Sequence, residues 1–168
     1  PNDLLDRPSF TTHNLEALDR VARATEGGPA VLVGCVHRDD SIEGKNLFNA
    51  AAFCVDGAVR SVHAKTLLPT YDVFDEMRHF HAAREHRIVE FKGIRLGVTI
   101  CEDIWNDAVF WGRRGRRLYE QDPVEILSGQ GFDLLINISA SPFTEGKRAL
   151  KREMFSSTAR RYQKPLVH

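Results

Sequence analysis

Apolar residues recur at Leu15, Leu18, Val21 and Ala22, the spacing of one helix face, behind Thr11 and Thr12 and ahead of Gly27 and Gly28. This pattern predicts a helix that one of the threonines caps and the glycines end. Ala30 to Val36 is almost wholly apolar and reads as a buried strand. Asn46 to Val55 and Ala58 to Ala64 flank Asp56-Gly57, and Ile88 to Phe91 and Ile94 to Ile100 flank Lys92-Gly93. A two-residue connection ending in glycine predicts a tight hairpin in each case. Leu134 to Ile138 is a further strand, Lys147 to Tyr162 an amphipathic helix that stops before Pro165, and Leu166-Val167 the beginning of another strand.

The predicted order is helix, strand, two hairpins, helix, strand, helix and strand, which indicates an α/β layered domain. Tight hairpins make the sheets at least partly antiparallel, so a doubly wound dinucleotide fold fits poorly. No GxGxxG follows a strand and no GxxxxGK[ST] occurs, and neither an internal repeat nor a low-complexity stretch is present. The segment from Asn106 to Gly131, rich in arginine and aromatic residues, has no role assigned by its pattern.

Composition narrows the function classes. The chain has 168 residues, long enough for one domain with a core, and 23 basic residues balance 23 acidic ones. No global field therefore favours nucleic acid or an anionic membrane. The local cluster Arg113, Arg114, Arg116 and Arg117 reads as a solvated face or an insertion. Cys35, Cys54 and Cys101 form no CxxC pair, and three cysteines leave one unpaired in any disulfide scheme, which suits a reducing, cytoplasmic setting. No apolar run approaches the roughly 18 residues of a membrane span, and no signal peptide opens the chain. His79 and His81 straddle Phe80 without an accompanying cysteine or carboxylate cluster, so no metal site is expected, and no GxSxG elbow is present.

Candidate chemistry centres on Cys101, which closes the apolar run Ile94 to Ile100 and is followed by Glu102, Asp103, Ile104 and Trp105. A strand end delivers a thiol into a turn bearing carboxylates, the setting of a nucleophile; the alternative is a small core residue, the reading given to Cys35 and Cys54. Upstream, Lys65 to Phe80 mixes charge with Tyr71, Phe74 and Phe80, the composition of a functional loop.

Three runs carry a resemblance. KTLLPTYDVFDEMRHF at Lys65 to Phe80, GVTICEDIW at Gly97 to Trp105 and NISASPFTEGK at Asn137 to Lys147 resemble, in order and spacing, the glutaminase (amidohydrolase) domain of glutamine-dependent NAD synthetases, within the nitrilase superfamily. The resemblance covers most of the chain, from PNDLLDRPSF to KPLVH. It implies a nitrilase-like αββα sandwich, incomplete at both ends, in which residues 1–168 are an internal piece of a longer protein. The segment bearing the family's catalytic Glu is expected before residue 1, ahead of a Pro-rich opening loop. The rest of the domain and a synthetase domain that uses ATP and magnesium are expected after residue 168. No metal or organic cofactor is implied for the glutaminase part itself.

By the same resemblance the catalytic set is a Glu, with no counterpart here, together with Lys65 and Cys101. Tyr71, Phe74 and Glu76 would line the pocket, Glu76 supporting Lys65 or the substrate amine. Glu102 would meet the substrate ammonium, and Ser141 and Lys147 would hold the amino-acid end of glutamine. Lys147 offers a carboxylate no bidentate fork of the kind arginine has. Read from the residues alone, other roles stay open: a solvated strand-end lysine for Lys65, core aromatics for Tyr71 and Phe74, a surface acid for Glu76, turn stabilisation for Glu102 and a helix cap for Ser141.

The implied reaction is hydrolysis of the glutamine amide through a thioester on Cys101, with ammonia passed to the synthetase domain for amidation of adenylated nicotinic acid adenine dinucleotide. Assembly as a large homo-oligomer is implied, and no nucleic-acid or membrane partner is. The alternatives are another nitrilase-type amidase and a non-catalytic scaffold, the latter because without the Glu base residues 1–168 alone are expected to be catalytically impaired.

Overall fold

The computed structural model describes residues 2–112, 114–115, 117–142 and 144–168. Arg113 and Arg116 of the basic cluster, Pro1 of the opening run and Phe143 of the third motif lie outside the described residues. The chain divides into two compact units, Pro1–Arg84 and Glu85–His168.

The first unit opens with a short helix, α1 (Asn2–Leu5), where the sequence reading expected a loop. Helix α2 (Pro8–Arg23) follows, and it begins earlier than its apolar spacing implied. Pro8 occupies the first turn behind an extended Arg7, because its fixed φ suits a helix start and its missing N–H is not needed there. Thr11 and Thr12 therefore lie inside the helix and cap nothing; the Thr12 hydroxyl donates back to the Pro8 carbonyl at 3.2 Å.

Strands β1 (Val31–Arg38), β2 (Leu47–Val55) and β3 (Ala58–Ala64) form an antiparallel sheet in that order. The turn between β2 and β3 has φ of 52° at Asp56 and 79° at Gly57, the paired positive angles that a type I′ hairpin requires. The register shifts at Phe53/Cys54, which leaves Arg60 as the extra residue of a bulge. The buried strand is β2, not β1: β2 has a neighbour on each side, whereas β1 is an edge and is only half-buried. Leu18 and Ala22 of α2 pack on Val31, Val33, Cys35, Ala52, Cys54 and Val62. The Thr25 hydroxyl donates to the Ala22 carbonyl and accepts from the Gly57 amide, which ties the helix end to the hairpin. A single turn, α3 (Glu76–His79), lies in the loop beyond β3.

The second unit is a mixed sheet in the order β4 (Val89–Phe91), β5 (Ile94–Ile100), β6 (Leu134–Ile138) and β7 (Leu166–Val167). Only the β4–β5 hairpin is antiparallel; β5–β6 and β6–β7 are parallel. Parallel neighbours require crossovers, and here these carry helices. Helices α4 (Ala108–Gly112) and α5 (Pro123–Gln130) join β5 to β6, and α6 (Lys147–Tyr162) joins β6 to β7. The segment from Asn106 to Gly131 is thus mostly a crossover. Its α5 has ordinary punctuation: the Asp122 carboxylate accepts from the Val124 and Glu125 amides, Pro123 opens the helix and Gly131, at φ 78°, follows it.

Ile104, Phe110, Val124, Leu127, Phe132, Leu135 and Met154 form the core of this unit. The Arg161 guanidinium adds a polar tie from α6, 3.0 Å from Asp107 and 3.4 Å from Glu125. Both methionines test this assignment of the core. Met154→Ala, at a side chain with no exposure, should cost about 2–5 kcal/mol in urea denaturation. Met77→Ala, at a side chain 55% exposed, should stay within about 0.5 kcal/mol of the parent.

Candidate active site

In the first unit the candidate residues gather at the end of β3. Lys65 follows the strand directly; its amide donates to the Asn49 carbonyl and its own carbonyl accepts from Ala83. Its side chain is 1% exposed, so the solvated reading fails. The ammonium is 2.6 Å from Glu76 Oε1, and Glu76 Oε2 accepts from the Asn49 side chain at 3.2 Å. Glu76 is itself placed by its amide, which donates to the Pro69 carbonyl at the start of α3. A buried lysine needs such a partner, because an isolated ammonium out of water is strongly disfavoured. Glu76 is therefore not a surface acid.

Tyr71 and Phe74 meet edge to face at 5.9 Å, with Tyr71 44% exposed and Phe74 half-buried, so Tyr71 is not a core aromatic. Phe74 and Glu76 help line a cavity of about 370 Å³ with Asn14, Asn49 and Phe80. His79 faces Asp6 at 3.4 Å while His81 stacks on Phe48, so the two rings serve different partners.

In the second unit the chain leaves β5 at Cys101 with φ of 47° and enters a 3₁₀ turn, Cys101–Ile104. A non-glycine residue in this left-handed region costs about 1–2 kcal/mol, a strain that must be held by its surroundings. Two side chains do so. The buried Asp103 carboxylate accepts from the Ile100 amide at 3.0 Å, folding the turn back on the strand end. Asn137 of β6, opposite Thr99 in register, donates to the Thr99 hydroxyl at 3.0 Å and reaches the Cys101 carbonyl at 3.5 Å.

The reversal leaves the thiol half-buried, with Sγ 3.5 Å from the Ser141 hydroxyl, which pairs in turn with Ser139 at 2.8 Å. Ser141 is not a cap of α6; that position is Gly146, in left-handed backbone, without any side-chain cap. Glu102 is buried beside the nucleophile position, and its Oε1 accepts from the Tyr119 hydroxyl at 3.2 Å. Lys147 opens α6, with its ammonium 5.7 Å from the centre of the Trp105 ring. Ser141 and Lys147 also border a cleft of about 540 Å³ with Lys151, Phe155 and His168.

The structure thus brings together Lys65 and Glu76, with the Tyr71–Phe74 pair on the intervening loop, in one unit. In the other it brings Cys101 together with Ser141, and sets Glu102 and Lys147 on the elements that flank them. The sequence reading missed Asn49, Thr99, Asp103, Asn137 and Tyr119. Thr99 and Asn137 did carry a signal, each a polar residue directly flanked by apolar ones in its strand. The other two cysteines lie within strands, Cys35 in β1 and Cys54 in β2. Burial, with the neighbouring Cys54, pushes the Cys35 thiol up to about 11, and burial raises Cys54 as well.

No family model matches the chain. Over its whole length it is 40% identical to a glutamine-dependent NAD⁺ synthetase of Synechocystis, of which it spans 30%. A solved glutamine-dependent NAD⁺ synthetase of Acinetobacter baumannii superposes on 99% of the chain at a TM-score of 0.82 with 29% identity, the match covering 28% of that protein. A carbon-nitrogen hydrolase of Helicobacter pylori matches 96% of the chain and 50% of its own, at a TM-score of 0.64 and 16% identity, a likeness of fold. The chain therefore spans about 30% of the length of the synthetases it matches.

Two outcomes check the geometry. Glu76→Ala strands the Lys65 ammonium and should lower stability by about 3–5 kcal/mol in urea denaturation, with Glu76→Gln milder because it keeps an acceptor. Iodoacetamide at pH 8 should modify Cys101 well before Cys35, whose labelling should climb only as the pH nears 11. Peptide mapping that finds Cys35 labelled first at pH 8 contradicts the assignment.

Proposed function

We propose that this chain, which belongs by fold to the carbon-nitrogen hydrolase (nitrilase) superfamily and matches over its full length a segment of glutamine-dependent NAD⁺ synthetases, hydrolyses the side-chain amide of glutamine at Cys101 and supplies the ammonia for NAD synthesis. The observation that carries this reading is the thiol itself, turned out of a strand end by a strained backbone and set against the Ser141 hydroxyl.

In this reading Cys101 Sγ attacks the amide carbon while its proton passes to a carboxylate base. The C–N bond then breaks, the nitrogen takes up that proton and ammonia leaves a γ-thioester. Water adds to the thioester, giving its proton to the base; the thiolate departs and is reprotonated, so glutamine and water become glutamate and ammonia. The base is the glutamate that has no counterpart among residues 1–168. Lys65 is the cation of the set. Its desolvated ammonium, oriented by Glu76, stabilises oxyanion charge, an effect worth about 3–4 kcal/mol per donor in comparable sites. Glu102 receives the substrate ammonium, Ser141 and Lys147 the α-carboxylate, and Tyr71, Phe74 and Glu76 border the pocket.

The ammonia acceptor is a synthetase domain of the same longer protein, where ATP and magnesium act. Assembly as a homo-oligomer and a cytoplasmic setting belong to the same reading. Among the described residues no helix is long and apolar enough to cross a membrane.

The test uses the full-length protein carrying this chain. Ammonia release from glutamine should be lost, about 10⁴-fold or more, in Cys101→Ala. An electrophilic glutamine analogue should add one label, at Cys101, that excess glutamine suppresses. Label spread over Cys35 and Cys54 makes the thiol structural, and preference for another amide makes the chain a different nitrilase-type amidase.

A further inference from the structure

The hydrogen bonds behind the Cys101 turn each have one possible direction, and together they end on His168, the residue that follows β7. The Thr99 hydroxyl donates to the Ile136 carbonyl at 3.2 Å, so its oxygen is left to accept from Asn137, and the Asn137 nitrogen must face it. The same nitrogen reaches the Cys101 carbonyl at 3.5 Å, a group that only accepts. The amide oxygen of Asn137 is therefore turned the other way, and 3.1 Å from it lies Nδ1 of His168. An amide oxygen cannot donate, so Nδ1 must carry the hydrogen. Burial and the Lys151 charge hold the ring below the usual histidine pKa, opposed by its hydrogen bonding to Asn137. Above that pKa the ring is uncharged with a single hydrogen, here on the nitrogen that a free neutral imidazole protonates less readily. Phe155 of α6 packs against the same ring, 4.4 Å between centres.

We propose that His168 is a positioning residue for the Cys101 nucleophile: its Nδ1–H donates to the Asn137 amide oxygen and so keeps the amide nitrogen on Thr99 and on the Cys101 carbonyl. An amide turned over would set its oxygen against that carbonyl, acceptor against acceptor. The φ of 47° at Cys101 would then lose one of the two side chains that hold it. Asn137 is 2% exposed, so water offers its amide little in exchange. A thiol on a loosened turn still lies beside a bound substrate but meets the reacting carbon less often in line, which costs rate rather than binding. That the slowed step is attack on glutamine rests on the function proposed above; the relay from the ring to the turn does not.

The experiment compares the full-length protein with His168→Phe, His168→Asn and His168→Gln. Phenylalanine keeps an aromatic ring on Phe155 and removes the donor; the amide nitrogen of asparagine falls where Nδ1 was, and that of glutamine where Nε2 was. His168→Phe should lower kcat for glutamine about tenfold, the loss of one buried hydrogen bond, with KM within about twofold of the parent. His168→Asn should recover kcat to within about threefold of the parent, while His168→Gln stays as low as His168→Phe. A ring that served only as packing would give the reverse order, with phenylalanine the best replacement. In an Asn137→Ala background, His168→Phe should have no further effect on kcat. A second readout needs no turnover: nitrogen NMR of protein labelled in its histidine rings, at pH 8, with the His168 signals assigned by their absence in His168→Asn. The neutral ring should carry its hydrogen on Nδ1. An Nε2–H ring, an unchanged kcat in His168→Phe, a His168→Asn no better than His168→Gln, or a loss that persists without the Asn137 side chain overturns the proposal. If Asn137→Ala does not fold, the rescue order and the ring tautomer decide. A parent protein that releases no ammonia from glutamine overturns the functional reading alone, and the tautomer then decides the role of His168.

Discussion

Everything chemical in the second unit depends on one backbone constraint, the left-handed turn at Cys101. A strand that simply continued would send its alternate side chains to the two faces of the sheet and bury the thiol in one of them. Reversal at φ 47° instead carries Cys101 out of the sheet at its end. The conformation costs free energy locally, so the surroundings must over-determine it. Asp103 holds the Ile100 amide from below, Asn137 reaches the Cys101 carbonyl from the neighbouring strand, and Thr99 orients Asn137. Each of these groups is buried, so each hydrogen bond is difficult to exchange for water.

The first unit solves a different problem, keeping a charge out of water without losing it. Lys65 is among the most buried residues of the chain, and what makes that tolerable is a carboxylate at 2.6 Å that Asn49 steadies from its second oxygen. An uncompensated ammonium there would lose its proton or unfold its surroundings. The hairpin β2–β3 brings Asn49 and Lys65 side by side, joined by the Lys65 amide and the Asn49 carbonyl, and the loop returns Glu76 to them. The pair thus depends on strand register, which sets Asn49 beside Lys65, as well as on the loop that carries Glu76.

Local patterns located most elements because their signals are local. Asp56-Gly57 and Lys92-Gly93 mark hairpins by the φ they permit, and the spacing from Lys147 to Tyr162 matches α6 to the residue. Where the reading failed, a competing local rule had been overlooked. Pro8 starts α2 in place of a threonine cap, and the helix expected between the second hairpin and Leu134 opens at Asp122-Pro123, a start that the arginines and aromatics of its segment obscured. The burial of β2 rather than β1 depends on sheet order, which composition does not reveal. Of the candidate side chains, the cysteine and lysine were legible because they sit at strand ends inside recognisable runs. Tyr119 was not, since its partner Glu102 lies 17 positions away along an irregular connection.

The amino-acid sequence by itself determined the α/β class, the hairpins, the placement of a thiol at a strand end and the similarity to amidohydrolase domains, because all of these are written in neighbouring residues. Only the tertiary structure decided that Cys101 is strained and pinned, that Lys65 is buried against Glu76 and that Glu102 accepts from the Tyr119 hydroxyl. Those facts depend on which strands pair, in what register, and which side chains are thereby taken out of water together.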